Sequence, residues 1–309
     1  MTKPQVAIVG AGQVGATTAL WLAKRNLADL ILVDVVEGLA AGKALDLQQA
    51  GPLEGFDVTI TGSTDLAAVR DSAVVVITAG LPRTPGMSRE DLLTANANIV
   101  RPVVKTIQRV APHAILIIVT NPLDVMTALA AHVSGFPRER VIGMAGILDS
   151  ARLCHFVSQH LRVPASHIAA MVLGSHGDEM VPLLRYTTVA GQPLTQRVDR
   201  APLEHLLQRT RDGGAEIVRL LKQGSAFAAP GASVAVMVEA IVRDTGAIYP
   251  CSVSLEGEYG LRGVFLGVPV ALGRRGIQRI VELELTPDER AALHRSAAQV
   301  QAGMKILGL

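Results

Sequence analysis

Cysteine is scarce in this 309-residue chain: Cys154 and Cys251 stand far apart and outside any CxxC pattern. That excludes a disulfide scaffold and a cysteine-based zinc site, and it fits a reducing compartment. Basic blocks are also missing. The net charge is +2, so charge gives no reason to invoke nucleic acid. The eight histidines are scattered without an HExxH or equivalent cluster, and no metal site is expected. No apolar run approaches the ~20 residues of a membrane span, so no membrane partner is expected. Met1-Thr2-Lys3-Pro4 leads straight into Val6-Ala7-Ile8-Val9 without a secretory leader, which makes the cytoplasm the expected location. Tandem repeats, low-complexity segments and Gly/Ser-rich linkers are absent. What remains is 49% hydrophobic and 18% charged, against disorder and long enough for two packed subdomains.

The first half alternates short apolar runs with helical patterns. Val6 to Val9, Leu30 to Val33, Val58 to Thr61, Ala73 to Thr78, Ile115 to Val119 and Val141 to Ile142 read as strands buried on both faces of a parallel sheet. Val14 to Arg25 and Asp91 to Val110 read as helices, the second capped by Ser88 with Glu90 and Asp91 near its positive end. Such alternation predicts a doubly wound sheet, whose ligands gather at the carboxyl ends of its strands. After about Gly143 the rhythm changes. Helices are expected over Ser150 to Leu161, Pro202 to Leu221 and Ala232 to Thr245. Strands are expected over Ile168 to Leu173, Val253 to Leu255 and Gly263 to Leu272, with a hairpin at Gly191-Gln192-Pro193. A last helix starts at Thr286-Pro287-Asp288-Glu289, an N-cap followed by proline and a capping-box glutamate. The expected division is therefore 1–143 for the parallel sheet and 144–309 for an α+β substrate domain.

Several polar groups fall at strand or helix ends. Gly10-Ala11-Gly12-Gln13-Val14-Gly15 follows the first strand and opens the first helix, where glycines admit a tight turn and a pyrophosphate. Asp34 stands about 20 residues on, at the end of the second strand, where a carboxylate accepts both ribose hydroxyls. It repels a 2′-phosphate, and Val35-Val36 supplies no arginine, so NAD is favoured over NADP. Gly80-Leu81-Pro82-Arg83-Thr84-Pro85-Gly86-Met87-Ser88-Arg89 sets two guanidinium groups, natural carboxylate partners, in a shaped loop. Alone, that loop reads as ordinary surface charge. His176, within Gly174-Ser175-His176-Gly177-Asp178, is either a hydrogen-bonded loop residue or a proton carrier. Asp149 and Arg152, three apart on one helix, form a local ion pair, or orient His176 and grip a carboxylate respectively. Asn121-Pro122 offers an amide at the same rim.

Together with Val33-Asp34, Thr78-Ala79-Gly80, Thr120-Asn121-Pro122-Leu123-Asp124 and Leu148-Asp149-Ser150-Ala151-Arg152, these motifs resemble, in order and over essentially the whole chain, the lactate/malate dehydrogenases of 2-hydroxy acids. Leu255-Glu256-Gly257-Glu258-Tyr259-Gly260 and Gly267-Val268-Pro269 are similar to the malate-converting enzymes of the lactate-dehydrogenase-like branch. The resemblance implies an α/β fold, an N-terminal Rossmann doubly wound parallel sheet followed by an α+β substrate domain, with NAD as cofactor. It implies that His176 takes the hydroxyl proton, that Asp149 holds its imidazole, that Arg152 binds the carboxylate beside the reacting carbon, and that Arg89 polarises the carbonyl oxygen. Asn121 would touch substrate and nicotinamide. Gly10, Gly12, Gln13, Val14, Gly15, Asp34 and Asn96 would hold the cofactor.

Arg83 occupies the position where this family carries glutamine in lactate enzymes and arginine in malate enzymes. Beside the methyl group of lactate it would be an unpaired buried charge; beside a second carboxylate it makes a charge-assisted fork. Ala226 matches the usual threonine of lactate enzymes and leaves room for a larger substrate. The expected substrate is therefore a small dicarboxylate, malate or oxaloacetate, and the branch leans towards homotetramers. The alternatives are a lactate or broader 2-hydroxy acid dehydrogenase and, in another class, a catalytically silent NAD-binding sensor.

Overall fold

The computed structural model describes residues 3–82 and 87–309. Six strands, β1 (Gln5–Val9), β2 (Asp29–Val33), β3 (Ile60–Ser63), β4 (Val74–Ile77), β5 (Ile115–Ile118) and β6 (Val141–Gly143), alternate with helices α1 (Gln13–Arg25), α2 (Leu39–Glu54), α3 (Arg89–Val110) and α4 (Leu123–Ser134). All six pair in parallel, in the order β3-β2-β1-β4-β5-β6. The runs Val74–Ile77 and Ile115–Ile118 are wholly buried, as strands covered on both faces must be. The strand order reverses beside β1, between β1 and β4, which opens a crevice at their carboxyl ends.

The second half begins with α5 (Gly146–Leu161). Five two-residue strands follow: β7 (Ile168–Ala169), β8 (Val172–Leu173), β9 (Val181–Pro182), β10 (Thr188–Val189) and β11 (Gln192–Pro193). Then come α6 (Arg200–Leu221), α7 (Ala228–Arg243), β12 (Ala247–Glu256), β13 (Arg262–Gly273), β14 (Gly276–Ile280) and α8 (Pro287–Ile306). The antiparallel strands β12, β13 and β14 extend the parallel sheet past β6, so nine strands form one sheet across both halves. A smaller apolar cluster, including Leu153, Phe156, Val172, Met180 and Leu206, seats α5 and α6 on the short strands.

Local expectations are met at both capped helices. Ser88 Oγ accepts from the Asp91 N–H while Asp91 Oδ2 accepts from the Ser88 N–H, and Thr286 and Glu289 repeat the arrangement on α8. Two expectations need correction. Ile168 to Leu173 is not one strand: β7 pairs with β10 and β8 with β9, and the Leu183 N–H is bonded to the Met171 carbonyl between them. Strand β12 starts well before Val253, because Pro250, which reads as a breaker, lies opposite Pro269 of β13 in the ladder.

Candidate active site

The crevice at β1 carries the glycine motif. A Cβ at Gly15 would lie 1.8 Å from the Gly10 carbonyl oxygen, so α1 meets the turn only if that residue is bare. Gly12 is different. It is exposed, its φ of −64° suits any residue, and a Cβ there would meet no protein atom. Its bareness serves a group approaching from outside. The first turn of α1, which begins at Gln13, has no side-chain cap and no acidic residue, leaving its N–H groups open to an anion. Asp34 Oδ2 accepts from the Ala11 N–H at 2.7 Å and Oδ1 from the Val36 N–H at 3.0 Å. A carboxylate has about four acceptor positions, so two remain for ribose hydroxyls. Val35 and Val36 are exposed beside it. These residues fit a dinucleotide without a 2′-phosphate.

Across the crevice, α5 and the loop after β8 bring three ionisable side chains together. Asp149 and Arg152 share one face of α5, with Arg152 Nη1 3.2 Å from Asp149 Oδ1; their side chains are 2% and 13% exposed. Asp149 Oδ2 lies 2.9 Å from His176 Nδ1. A carboxylate only accepts, so Nδ1 carries the hydrogen and Nε2 of the neutral ring is free for a substrate proton. Burial disfavours the imidazolium, but the charge and hydrogen bond of Asp149 outweigh it. Arg152 opposes protonation and Asp124 assists it, and the net effect raises the His176 pKa above the usual imidazole value. The loop is pinned from outside the motif: the Ser175 N–H donates to Ser296 Oγ of α8, and the His176 N–H to Asp124 Oδ2 of α4.

His176 and Arg152 face a cavity of about 280 Å³ that Val14, Asn121, Arg211, Gly214 and Ala226 also line. The Arg152 side chain passes close to α6. A Cβ at Gly213 would lie 3.2 Å from Arg152 Cδ, and one at Gly214 would lie 3.4 Å from Nη2. Arg211, one helical turn before Gly214, brings a second guanidinium to the cavity.

Asn96 and Arg89 do not line this cavity. Asn96 is fully buried: its Oδ1 accepts from the Leu81 N–H, and its Nδ2 donates to the Leu81 and Asn121 carbonyls at 3.1 and 2.7 Å. Its amide is engaged with main chain and braces the start of the arginine loop against the Asn121 turn. Arg89 is largely exposed and pairs with Asp178 at 2.6 Å. It lines a separate cavity of about 330 Å³ on the α3, α4 and α8 side of His176. Arg83 lies outside the described residues. Sequence reading gave no role to Asp124, Ser296, Arg211 or the Gly213-Gly214 pair. Two of these left a signal: one carboxylate in an otherwise apolar helix start, and adjacent glycines inside a helical pattern.

The sequence model for the NAD binding domain of lactate/malate dehydrogenases matches residues 4–143, and that for their α/β C-terminal domain matches residues 147–306. The chain belongs to the lactate/malate dehydrogenase family. Its N-terminal half is that family's NAD-binding domain. Malate dehydrogenase of Thermomicrobium roseum is 54% identical over 299 residues, 97% of this chain and 96% of that protein. Among solved structures, Cryptosporidium parvum malate dehydrogenase is similar with a TM-score of 0.97, 39% identity and full coverage of both chains. The lactate dehydrogenase of the same organism, complexed with lactic acid and nicotinamide adenine dinucleotide, is similar with a TM-score of 0.96 and 38% identity, covering 100% of this chain and 99% of that one. Backbone shape therefore does not separate the two activities; side chains must.

Proposed function

We propose that this member of the family is an NAD-dependent malate dehydrogenase, interconverting (S)-malate and oxaloacetate. The observation that carries the reading is the Arg152–Asp149–His176 chain of contacts facing one cavity, with Nε2 of His176 left free. Binding NAD needs none of these three residues, so a silent NAD sensor leaves them without purpose. Support for malate over lactate comes from Arg83, from the small Ala226 on the cavity wall, and from the many-residue likeness to malate dehydrogenases.

NAD, when bound, supplies the hydride acceptor. Gly10, Gly12, Gln13, Val14 and Gly15 would hold its pyrophosphate, Asp34 its ribose, and Asn121 the nicotinamide end. The remaining work belongs to side chains of this chain. Arg152 forks onto the carboxylate beside C2 and orients the substrate. His176 Nε2 accepts the C2 hydroxyl proton in oxidation and returns it in reduction. Asp149 keeps the ring in the required tautomer and stabilises the imidazolium. Arg89 would leave Asp178 for the C2 oxygen as negative charge builds there, an exchange of one charge-assisted bond for another. Arg83 pairs with the distal carboxylate. A difference of a few kcal/mol between paired and unpaired guanidinium corresponds to roughly hundred-fold discrimination against lactate. The same reading includes a cytoplasmic homotetramer serving the tricarboxylic acid cycle, supported by the resemblance to the branch and by the two isolated cysteines. The test is oxidation: with NAD, malate should yield NADH at a rate far above lactate, and equal or reversed rates would favour the lactate reading.

A further inference from the structure

One buried ionisable group has no task in this chemistry. Asp124 sits in the first turn of α4, where its neighbours Leu123, Val125 and Met126 are buried and it is itself only 4% exposed. Its Oδ2 accepts the main-chain N–H of His176 at 3.0 Å. Its Oδ1 is buried and closes no hydrogen bond, and the Ser252 hydroxyl of β12 is likewise buried and unbonded. Ser252 stands near enough to ease the ionisation of Asp124, although burial, the dominant influence, pushes that carboxyl's pKa up. Burying a carboxylate with an unpaired oxygen is expensive. An asparagine would hold the His176 N–H equally well and would offer its NH2 to Ser252. Anchoring alone therefore does not account for a carboxylate at this place.

The charges around His176 supply the missing reason. Among the described residues, Asp149 and Arg152 of α5 pair with each other, as do Arg89 of α3 and Asp178 of the histidine loop. Arg211 of α6 lines the same cavity as His176 and has no hydrogen bond or ion pair among the described residues. Beyond these two ion pairs, Arg211 lines one cavity beside His176 and the exposed Glu90 of α3 lines the other; Asp124 is the buried acidic group bonded to the histidine itself. We propose that Asp124 is a positioning residue for His176: it fixes the main chain of the catalytic histidine and places a second buried carboxylate beside its ring. When His176 takes the substrate proton, the imidazolium then stands between Asp149 at Nδ1 and Asp124 from α4. The inference rests on the acid–base role of His176 given above.

Asp124→Asn tests it, because the amide keeps the shape and the anchor while removing the charge. Reduction of oxaloacetate needs the imidazolium and fails on the alkaline side; oxidation of malate needs the free imidazole and fails on the acid side. Loss of the Asp124 charge lowers the proton affinity of His176, so both limbs of the kcat/KM profiles should move together to lower pH, by about half a unit or more. Thermal stability should hold or rise, and Asp124→Ala, which also removes the anchor, should lose kcat in addition. An NMR titration of the His176 imidazole, identified by its absence in His176→Asn, reads the same shift without turnover. Unmoved limbs and an unmoved titration in Asp124→Asn would overturn the proposal, whether kcat falls or not. Failure of the wild-type enzyme to turn over oxaloacetate with NADH would overturn the malate reading instead, and the NMR titration would still decide the role of Asp124.

Discussion

Replacing Gly213 by alanine sets two consequences of the structure against each other. Gly213 lies inside α6, where glycine is less favourable than alanine by about 0.5–1 kcal/mol. On helix propensity alone the variant should gain that amount, a rise of roughly 2–4 °C in melting temperature per kcal/mol for a domain of this size. The new Cβ, however, would stand 3.2 Å from Arg152 Cδ, 3.5 Å from its Nε and 3.7 Å from Phe156 Cε2. The arginine stem yields more easily than the helix, so Arg152 should shift by a few tenths of an ångström. Its guanidinium is already held by Asp149 on the other side, and a fork onto a carboxylate tolerates little misalignment. Losing one of two charged hydrogen bonds costs about 1.5 kcal/mol, roughly a tenfold rise in KM for oxaloacetate. Gly214→Ala, with its nearest contact at 3.4 Å, should show the same pattern more weakly. Steady-state kinetics beside thermal unfolding reads both effects: KM should rise about tenfold with kcat and NADH affinity nearly unchanged and stability equal or higher. A lower melting temperature with unchanged KM would refute the link between these glycines and Arg152.

Three further outcomes follow from the geometry. Because Asp149 overrides burial and raises the His176 pKa, the acid limb of malate oxidation should lie above the ordinary imidazole range. Asp149→Asn should move that limb to lower pH and cut kcat by at least about a hundredfold, as a kcat/KM profile would record. Arg83→Gln should weaken oxaloacetate far more than pyruvate in initial-rate comparisons; equal losses would show that Arg83 does not read the distal carboxylate. Asn96→Ala strands the Leu81 N–H and two carbonyls, so denaturant unfolding should show a loss of about 1–3 kcal/mol, together with reduced turnover but near-normal binding of the adenosine end of NADH.

How much was legible in the sequence divides by the reach of each demand. Gly10 to Gly15 and Asp34 answer local needs, a turn into a helix and a strand-end carboxylate, and local needs leave local patterns. Ser88 and Thr286 cap helices three residues long in their grammar, and both were readable for that reason. Asp149 and Arg152 announced themselves by helical spacing, but their link to His176 spans 27 positions and became visible only by resemblance to a family. Asn96 was expected near the cofactor by resemblance alone; that its amide also ties Leu81 to the Asn121 turn depends on how α3 packs there. Asp124 and Gly213 make sense only against partners on other elements, the His176 main chain and the Arg152 stem. Strand β12 was expected only from Val253; its earlier start at Ala247 carries Pro250 opposite Pro269, a pairing that no pattern along one strand reveals.

The central claim is that this site reads a dicarboxylate through NADH-linked chemistry. Initial rates of oxaloacetate and pyruvate reduction, each with NADH and with NADPH, test it most directly. The kcat/KM for oxaloacetate with NADH should exceed that for pyruvate by roughly hundred-fold or more, and NADPH should serve poorly because Asp34 repels a 2′-phosphate. Comparable turnover of pyruvate, or a preference for NADPH, would contradict it.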